Sequence, residues 1–398
     1  MDNREITLLF GGDICFEDNG ERFFVDLGPL LEKADFRMAM LENPYIINPD
    51  EPKYMKRDAR FLDPLVGRLD LVTLAGNHIY DFEERGVKDT IQWCENVGIK
   101  HCGAGPDIVA ASKPAFVEKK GLKVGVLAYN VIGGTTKWAG EPGSGKSGCS
   151  YVRFHRAYKP LDEIDQEMNI KFEHDVWQIK KPIKMDKEFM GYNFLDHESL
   201  IKMGREVYEA KKQCDILITY FHKGYVHRPI EVAPFEKLVS YIAIDNGADV
   251  VMASHSHVMH GIEMYKGKAI YHGLNNFIMY VPSLSPKYTD RAHASQTELE
   301  WVKNRIDRFG FVPDPEYPSY PFHPESVYTA TAKLVIRDKK IVENRAIMMK
   351  VEKDGIPYVH GNTPVGNECL DYLRKITDGA GLNCKYDWCG DEVVISEK

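Results

Sequence analysis

The sequence lacks any apolar run long enough to cross a membrane. A spanning helix needs about 20 consecutive apolar residues, whereas the apolar runs of this 398-residue chain are much shorter. The first residues, MDNREITLLFGGD, have no basic region, no extended apolar region and no small-residue cleavage site, so they do not match a secretory signal. These absences predict a cytoplasmic protein with no membrane segment, or one that has lost its leader.

The chain also has little positive charge and no closely spaced cysteine pair. Lys and Arg total 51 against 59 Asp and Glu, a formal net charge of -8, which argues against nucleic acid as the primary partner. None of the eight cysteines forms a CxxC motif. Cys384 and Cys389 come nearest to a redox or zinc pair, but no second pair completes four ligands, so we expect free thiols.

What the sequence does contain is a series of short apolar runs separated by helical patterns. Such runs are typical of strands buried on both faces. They occur at 6–10, 36–41, 71–75, 215–221 and 249–254. Apolar residues recur at helical spacing in 81–97, 198–213 and 234–247. This alternation predicts a layered α/β fold, and the hairpins predicted at 115–130 and 328–351 indicate a second sheet.

Two segments lie outside the alternation. Residues 131–200 have poor periodicity and are rich in Gly, Lys and acidic residues, so we interpret them as a lid-like insertion in a single domain spanning 1–398. Residues 281–327 form a Pro- and Tyr-rich excursion. Residues 328–398 are expected to complete the fold with the second hairpin and a helix.

A metal-competent residue ends each of the five predicted strands. In open α/β sheets, ligands bind beyond the carboxyl ends of the strands, so we expect these residues to meet at one edge. They are Asp13, Glu42, Asn77, His222 and His255, and the adjoining loops add Asn43, His78 and His257. Each has an ordinary explanation by itself, such as a polar turn or a hydrogen-bonded core histidine. Together, their carboxylates, carboxamides and imidazoles predict a site for divalent manganese, iron or zinc.

The order Gly-Asp, Glu-Asn, Gly-Asn-His, His and His-x-His resembles that of the calcineurin-like metallophosphoesterases, and most of all their poly-γ-glutamate capsule (CapA) branch. The likeness is carried by four segments, 75–86, 220–224, 247–258 and 271–277. It extends over roughly residues 5–280 and implies a four-layer α/β/β/α sandwich. Lys223 departs from the tryptophan of the family, and Ser256 departs from its proline.

The resemblance also implies a centre of two divalent ions. One ion would be bound by Asp13 and His257 and the other by Asn77, His222 and His255, with Glu42 bridging them. His78 would donate a proton or stabilise developing charge, and Asn43 would contact the oxyanion of the substrate. The charges agree with this assignment, because two divalent ions outweigh two carboxylates and leave a positive site for an anionic substrate.

Residues 140–147, GEPGSGKS, formally match the phosphate-binding loop GxxxxGK[ST]. That loop joins a strand directly to a helix. Here about ten residues separate the motif from the preceding predicted strand, and the residues after the motif, GCSYVRF, favour strand or coil. We therefore interpret the segment as a glycine-rich lid from which Lys146 can still reach an anionic substrate.

Three functions remain open. The first is metal-dependent hydrolysis of a phosphoester. The second is hydrolysis or transfer at a γ-glutamyl or related amide bond of capsule metabolism, and the third is a non-catalytic role in polymer synthesis with metals kept for structure. We favour the first, with an anionic small molecule or polymer as substrate; the sequence leaves the oligomeric state open.

Overall fold

Strands and helices alternate along most of the chain, as the apolar runs predict. The computed structural model describes residues 5–160, 189–284 and 296–398. The strands are β1 (Ile6–Cys15), β2 (Phe36–Leu41), β3 (Leu71–Thr73), β4 (Lys100–Cys102), β5 (Ala104–Gly105), β6 (Ala115–Lys119), β7 (Leu122–Asn130), β8 (Gly148–Cys149), β9 (Phe154–Pro160), β10 (Phe189–Leu195), β11 (Ile216–Lys223), β12 (Val250–His255), β13 (Met259–Tyr265), β14 (Lys268–Leu274), β15 (Asn276–Met279), β16 (Tyr328–Arg337), β17 (Lys340–Val351), β18 (Pro357–Val359), β19 (Cys384–Cys389) and β20 (Glu392–Glu397). The α-helices are α1 (Phe24–Glu32), α2 (Glu83–Val97), α3 (Ile108–Ala111), α4 (His197–Lys211), α5 (Pro234–Asp245), α6 (Gln296–Phe309) and α7 (Pro364–Gly379).

The strands pair into two large sheets. Sheet I has the order β19-β20-β17-β16-β1-β2-β3-β4, with β15 added to β1 and β18 to β17. Sheet II has the order β13-β14-β12-β11-β7-β6. Strands β1, β2 and β3 run parallel in sheet I, and β7, β11 and β12 run parallel in sheet II. The carboxyl ends of each set therefore lie at one edge of its sheet.

Alternate side chains of β11 enter two different cores. Ile216, Ile218 and Tyr220 pack in the core that sheet II shares with sheet I. Leu217 and Phe221 pack in a second core, with α4 and α5. A period of two is what a strand buried on both faces requires. With α1 and α2 packed against sheet I, the layers form the predicted α/β/β/α sandwich.

The predicted strand boundaries are wrong at two site residues. Asp13 lies inside β1, because this strand continues to Cys15 by pairing with β15. His222 likewise lies inside β11, where it is opposite Ser254 of β12 and Asn130 of β7. Both strands are lengthened by partners that are distant in the chain, and no local pattern reveals such partners.

The two predicted hairpins form and the predicted second sheet is present, with one hairpin in each of the two large sheets. The β6–β7 hairpin belongs to sheet II, and the β16–β17 hairpin belongs to sheet I. The C-terminal region adds β18, β19 and β20 to sheet I and contains the helix α7. It is therefore more extensive than the predicted hairpin and helix. The hairpins therefore extend both large sheets.

The predicted lid-like insertion, 131–200, is described only in part. Strand β8 pairs with β5, and β9 pairs with β10. Residues 161–188 of this segment lie outside the described residues, as do 285–295 of the Pro- and Tyr-rich excursion.

Among the described helices, none combines the length and the apolar character that crossing a bilayer requires. All eight cysteines fall within the described ranges, and they are free thiols, as expected.

Candidate metal centre

The predicted metal-binding residues lie at the junction of the two sheets. Sheet I contributes Asp13 from β1, and Glu42 and Asn77 from the loops after β2 and β3. Sheet II contributes His222 and His255 from the ends of β11 and β12. The expectation of a single edge was therefore wrong, because two parallel strand sets in separate sheets meet here.

Glu42 belongs to two buried groups of potential ligands. Asp13, Glu42 and His257 form one group, and Glu42, His222 and His255 form the other; within each group the ligand atoms lie within 4.8 Å of one another. The two groups bring together five of the six predicted ligands, with Glu42 common to both.

Asn77 reaches the second group through its amide. Its Oδ1 lies 2.6 Å from Nε2 of His222. Nε2 of His222 is also 3.0 Å from Nδ1 of His255. An amide oxygen and two imidazole nitrogens thus converge on one point, which is an arrangement that suits a borderline divalent ion.

Asp13 is held in place by both sheets. Its Oδ1 accepts a hydrogen bond of 2.6 Å from the Ser254 hydroxyl, and its Oδ2 accepts one of 3.0 Å from the His255 backbone N–H. The preceding Gly12 is required by the close approach of β15, because a Cβ at this position would lie 1.7 Å from the Asn275 carbonyl oxygen. The Gly-Asp motif therefore reflects packing as well as chemistry.

The His255–His257 turn has an unusual backbone. His255 has a φ of 101° and His257 a φ of 49°, both in the left-handed region that side chains other than glycine disfavour. Such residues cost about 1–3 kcal/mol each and persist where the surroundings hold them. The Ser256 hydroxyl donates to the Val258 carbonyl at 2.6 Å, and His257 Nδ1 lies 2.8 Å from Oδ1 of Asn276. The turn aims two imidazoles into one site.

The electrostatics of the buried groups fit a cation. Burial, followed by the charge of Glu42, raises the pKa of Asp13. Burial also disfavours the charge of Glu42, but His257, together with His78 and His222, outweighs this effect and lowers the pKa of the carboxyl. Among the described residues no hydrogen bond satisfies Glu42 Oε1. Burial lowers the pKa of His222 to about 3, so its imidazole is neutral and able to bind a metal. A divalent cation would compensate the two carboxylates and the unsatisfied oxygen.

His78 and Asn43 lie at the mouth of the site. The His78 side chain is 42% exposed, and its Nδ1 lies 2.7 Å from Oδ2 of Asp81. Burial works against a charged imidazole here, but the hydrogen bond with Asp81 and the charges of Glu42 and Asp81 together outweigh it and raise the pKa of His78. Asn43 follows Glu42 directly and is half-buried. Both side chains are therefore accessible from solvent, unlike the buried potential ligands.

Lys223, at the position where the resemblance implies a tryptophan, is turned into the interior of the protein. Its ammonium donates to the Glu236 carbonyl at 2.9 Å and to the Ser240 hydroxyl at 3.0 Å, and it lies 3.0 Å from Nδ1 of His272. The side chain is fully buried. The lysine therefore changes the buried hydrogen bonds next to His222, and it does not alter the solvent-exposed side of the site.

An aromatic wall beside His257 was not predicted. The ring of Phe322 lies 4.9 Å from that of His257, and the ring of Phe311 lies 4.8 Å from that of His227. Phe311 and Phe322 belong to the Pro- and Tyr-rich excursion, whose composition indicated only irregular structure. Nothing in the local sequence reveals that this segment returns to the site.

The GEPGSGKS segment is not a phosphate-binding loop. It leads into β8, where a phosphate-binding loop would lead into a helix. The Lys146 ammonium donates to the Thr135 carbonyl at 2.7 Å, and the Ser147 backbone N–H donates to the Glu84 carboxylate at 2.9 Å. Lys146 is thus turned onto its own loop and does not extend toward a substrate.

Comparison with known proteins identifies relatives. Residues 7–281 match the family described as bacterial capsule synthesis protein PGA_cap. A probable polyglutamine synthesis accessory protein of Mycobacterium tuberculosis is 27% identical over 281 residues, which cover 61% of this chain and 62% of that protein. The capsule biosynthesis protein CapA of Bacillus anthracis is 21% identical over 300 residues, which cover 70% of this chain and 60% of that protein. The chain thus spans about 60% of the length of these two relatives.

A solved structure described as a novel phosphatase from Mycoplasma pneumoniae is also similar. It aligns with a TM-score of 0.40 at 12% identity and covers 92% of this chain and 97% of that one.

Proposed function

This chain belongs to the bacterial capsule synthesis protein family, and we propose that it is a metal-dependent hydrolase with a two-ion centre that cleaves a phosphoester. The observation that carries the proposal is the sharing of Glu42 between two buried ligand groups. A carboxylate common to two neighbouring ligand groups could bind both ions of a two-metal site. The remaining ligands would be Asp13 and His257 for one ion, and Asn77, His222 and His255 for the other.

The donor set suits manganese, iron or zinc. It mixes carboxylate oxygen, amide oxygen and imidazole nitrogen, without a thiolate among the ligands. Such ions, when bound, supply a water of lowered pKa and Lewis-acid stabilisation of a phosphoryl group. The neutral amide of Asn77 preserves positive charge that a third carboxylate would cancel. The site therefore favours an anionic substrate.

The residues at the mouth of the site would handle the proton and the oxyanion. Asp81 accepts from Nδ1 of His78 and favours the protonated imidazolium, whose Nε2–H would donate to the leaving oxygen or stabilise its charge. Asn43 would donate its amide N–H to a substrate oxygen, as oxyanion-stabilising carboxamides do. Both roles need solvent access, which their partial exposure provides.

The names of the relatives favour a second candidate. Two of them are described as acting in polyglutamine synthesis or capsule biosynthesis. The same centre could hydrolyse or transfer a γ-glutamyl amide, or it could hold metals for structure in a polymer-synthesis assembly. An amide substrate would use the same metal activation of water and the same anionic recognition.

Hydrolysis assays separate these candidates. We would load the purified chain with manganese and measure the cleavage of mono- and bis-p-nitrophenyl phosphate and of poly-γ-glutamate, with His78→Ala as the background control. Ester cleavage that His78→Ala abolishes supports the phosphoesterase. Polymer cleavage without ester cleavage supports the amide enzyme. Metal binding without either activity would contradict the hydrolase.

A further inference from the structure

Lys137 is a buried lysine in the segment that follows β7. The residue is only 7% exposed. Its ammonium donates one hydrogen bond, to the Gly133 carbonyl at 2.6 Å, and it makes no other hydrogen bond or ion pair with the described residues. An ammonium has three donors, and a buried charge without partners is unfavourable. Lys137 therefore keeps unused donors in a place where most lysines would be driven to solvent.

The segment that carries Lys137 is fixed to the metal centre. The Val131 backbone N–H donates to the His222 carbonyl at 2.9 Å, and the Asn130 side chain donates to the Ala75 carbonyl at 3.0 Å. On the return path, the Cys149 backbone N–H donates to the Lys137 carbonyl at 2.8 Å. These bonds place the segment beside the two elements that carry Asn77 and His222.

Lys137 also interacts with a charge beside His78. Burial lowers the pKa of Lys137, while Asp81, the partner of His78, acts in the opposite direction. The ammonium is therefore within electrostatic range of Asp81.

Two other lysines differ from Lys137 in their surroundings. Lys223 donates to Glu236 and Ser240 and lies 3.0 Å from Nδ1 of His272. Lys146 makes one hydrogen bond, to Thr135, as Lys137 does to Gly133, but Lys146 is only half-buried and can donate to water. Of the three, Lys137 is the one that combines burial with unused donors.

We propose that Lys137 binds the anionic group of the substrate, a phosphoryl or carboxylate oxyanion, beside the ion position of Asn77, His222 and His255. The inference rests on the proposed metal-dependent function. It adds that Lys137 makes the site bind a doubly charged oxyanion more tightly than a singly charged one. A second negative charge would gain a direct ion pair with Lys137, whereas a diester would have only the metals.

The test measures equilibrium binding of inorganic phosphate and of glutarate to the manganese-loaded chain by calorimetry. Lys137→Met keeps the length of the side chain and removes the charge, Lys137→Arg keeps the charge, and Lys146→Met is the matched control. We expect Lys137→Met to weaken phosphate binding about 10- to 100-fold, Lys137→Arg to restore part of it, and Lys146→Met to bind as the wild type does. Metal content should be equal in all four proteins.

The outcomes separate this inference from the proposed function. Phosphate binding that depends on Lys137, without ester hydrolysis, supports the subsite and contradicts the phosphoesterase. A loss confined to glutarate identifies carboxylate as the ligand. Phosphate and glutarate binding that is unchanged in Lys137→Met, or absent from the wild type, overturns the inference.

A measurement on the wild type covers the case in which Lys137→Met does not fold. Reductive methylation followed by mass spectrometry compares the labelling of lysines with and without phosphate. Protection of Lys137, but not of Lys146, supports the subsite. Equal labelling of Lys137 in both conditions contradicts it.

Discussion

Nε2 of His222 lies 3.0 Å from Nδ1 of His255, although 33 residues separate them in the chain. Strands β11 and β12 are hydrogen-bonded neighbours, so two imidazoles at their ends are brought together by sheet pairing. In the metal-free protein one ring N–H can be shared between the two nitrogens. A bound cation would instead use both lone pairs, which is why we place a metal position at this contact.

Removal of His222 should empty one metal position. We expect His222→Ala to bind about one divalent ion fewer per chain than the wild type, because Asn77 and His255 alone do not complete a coordination sphere. Elemental analysis after manganese loading measures the difference. His260→Ala is the matched control, since His260 is a buried histidine that contacts the Arg228 carbonyl and is not a ligand. Full metal content in His222→Ala would show that the ligand assignment is wrong.

Removal of His78 should leave the metals and slow the reaction. We expect His78→Ala to retain its ions and to lose about 10²–10⁴-fold in kcat, the range typical of a general acid. Asp81→Asn should cause a smaller loss, because the ring stays in place while its proton is held less firmly. Steady-state kinetics with equal metal content measure both. Wild-type kcat in His78→Ala would exclude the proton-donor role.

Gly12 and Gly28 should respond in opposite ways to the same substitution. In Gly12→Ala the new Cβ would lie 1.7 Å from the Asn275 carbonyl oxygen, so β1 and β15 must separate and Asp13 must move. In Gly28→Ala the nearest atom would be 4.0 Å away, inside α1. We expect Gly12→Ala to lose the metal and much of its stability, and Gly28→Ala to gain about 0.5–1 kcal/mol. Urea denaturation compares them, and equal free energies of unfolding would contradict the close packing at Gly12.

Asp196 should stabilise the protein in a pH-dependent way. It caps α4, and the hydrogen bond from the Ser199 backbone N–H, with help from His155, lowers the pKa of Asp196 to about 2. A carboxyl whose pKa is lowered by folding contributes stability above its unfolded pKa, and this contribution is lost as the pH falls from about 4 toward 2. Asp196→Ala should lose about 0.5–2 kcal/mol at pH 7.

Asp196→Asn is the matched variant, because an asparagine can still cap the helix. Its difference from the wild type should shrink between about pH 4 and pH 2, since only the charge has been removed. Urea denaturation across this range measures the effect. A difference that does not change with pH would mean that the charge contributes nothing.

Much of the frame could be predicted because the pattern is local. Strand β2 begins and ends at the predicted residues, 36–41, and α2 ends at Val97 with Gly98 in the left-handed conformation that a C-cap requires. A run of apolar residues, or a glycine after a helix, indicates the secondary structure of the residues next to it in the chain. The residues that come together in the candidate site also lay within recognisable motifs.

The remaining features depend on contacts between distant parts of the chain. The extension of β1 to Cys15 is due to β15, and the division of the site between two sheets follows from strand order, which no single run encodes. Lys137 and Lys146 illustrate the same limit. The GKS motif drew attention to Lys146, whereas the hydrogen bonds of Asn130 and Val131 place Lys137 near the site.

The stoichiometry of bound metal tests the two-ion centre most directly. The purified chain would be stripped with a chelator, dialysed against excess manganese, freed of unbound ion and analysed for metal per chain. Our account predicts two ions in the wild type and fewer in Glu42→Gln, since one carboxylate serves both positions. A single ion in the wild type, or none, would contradict it.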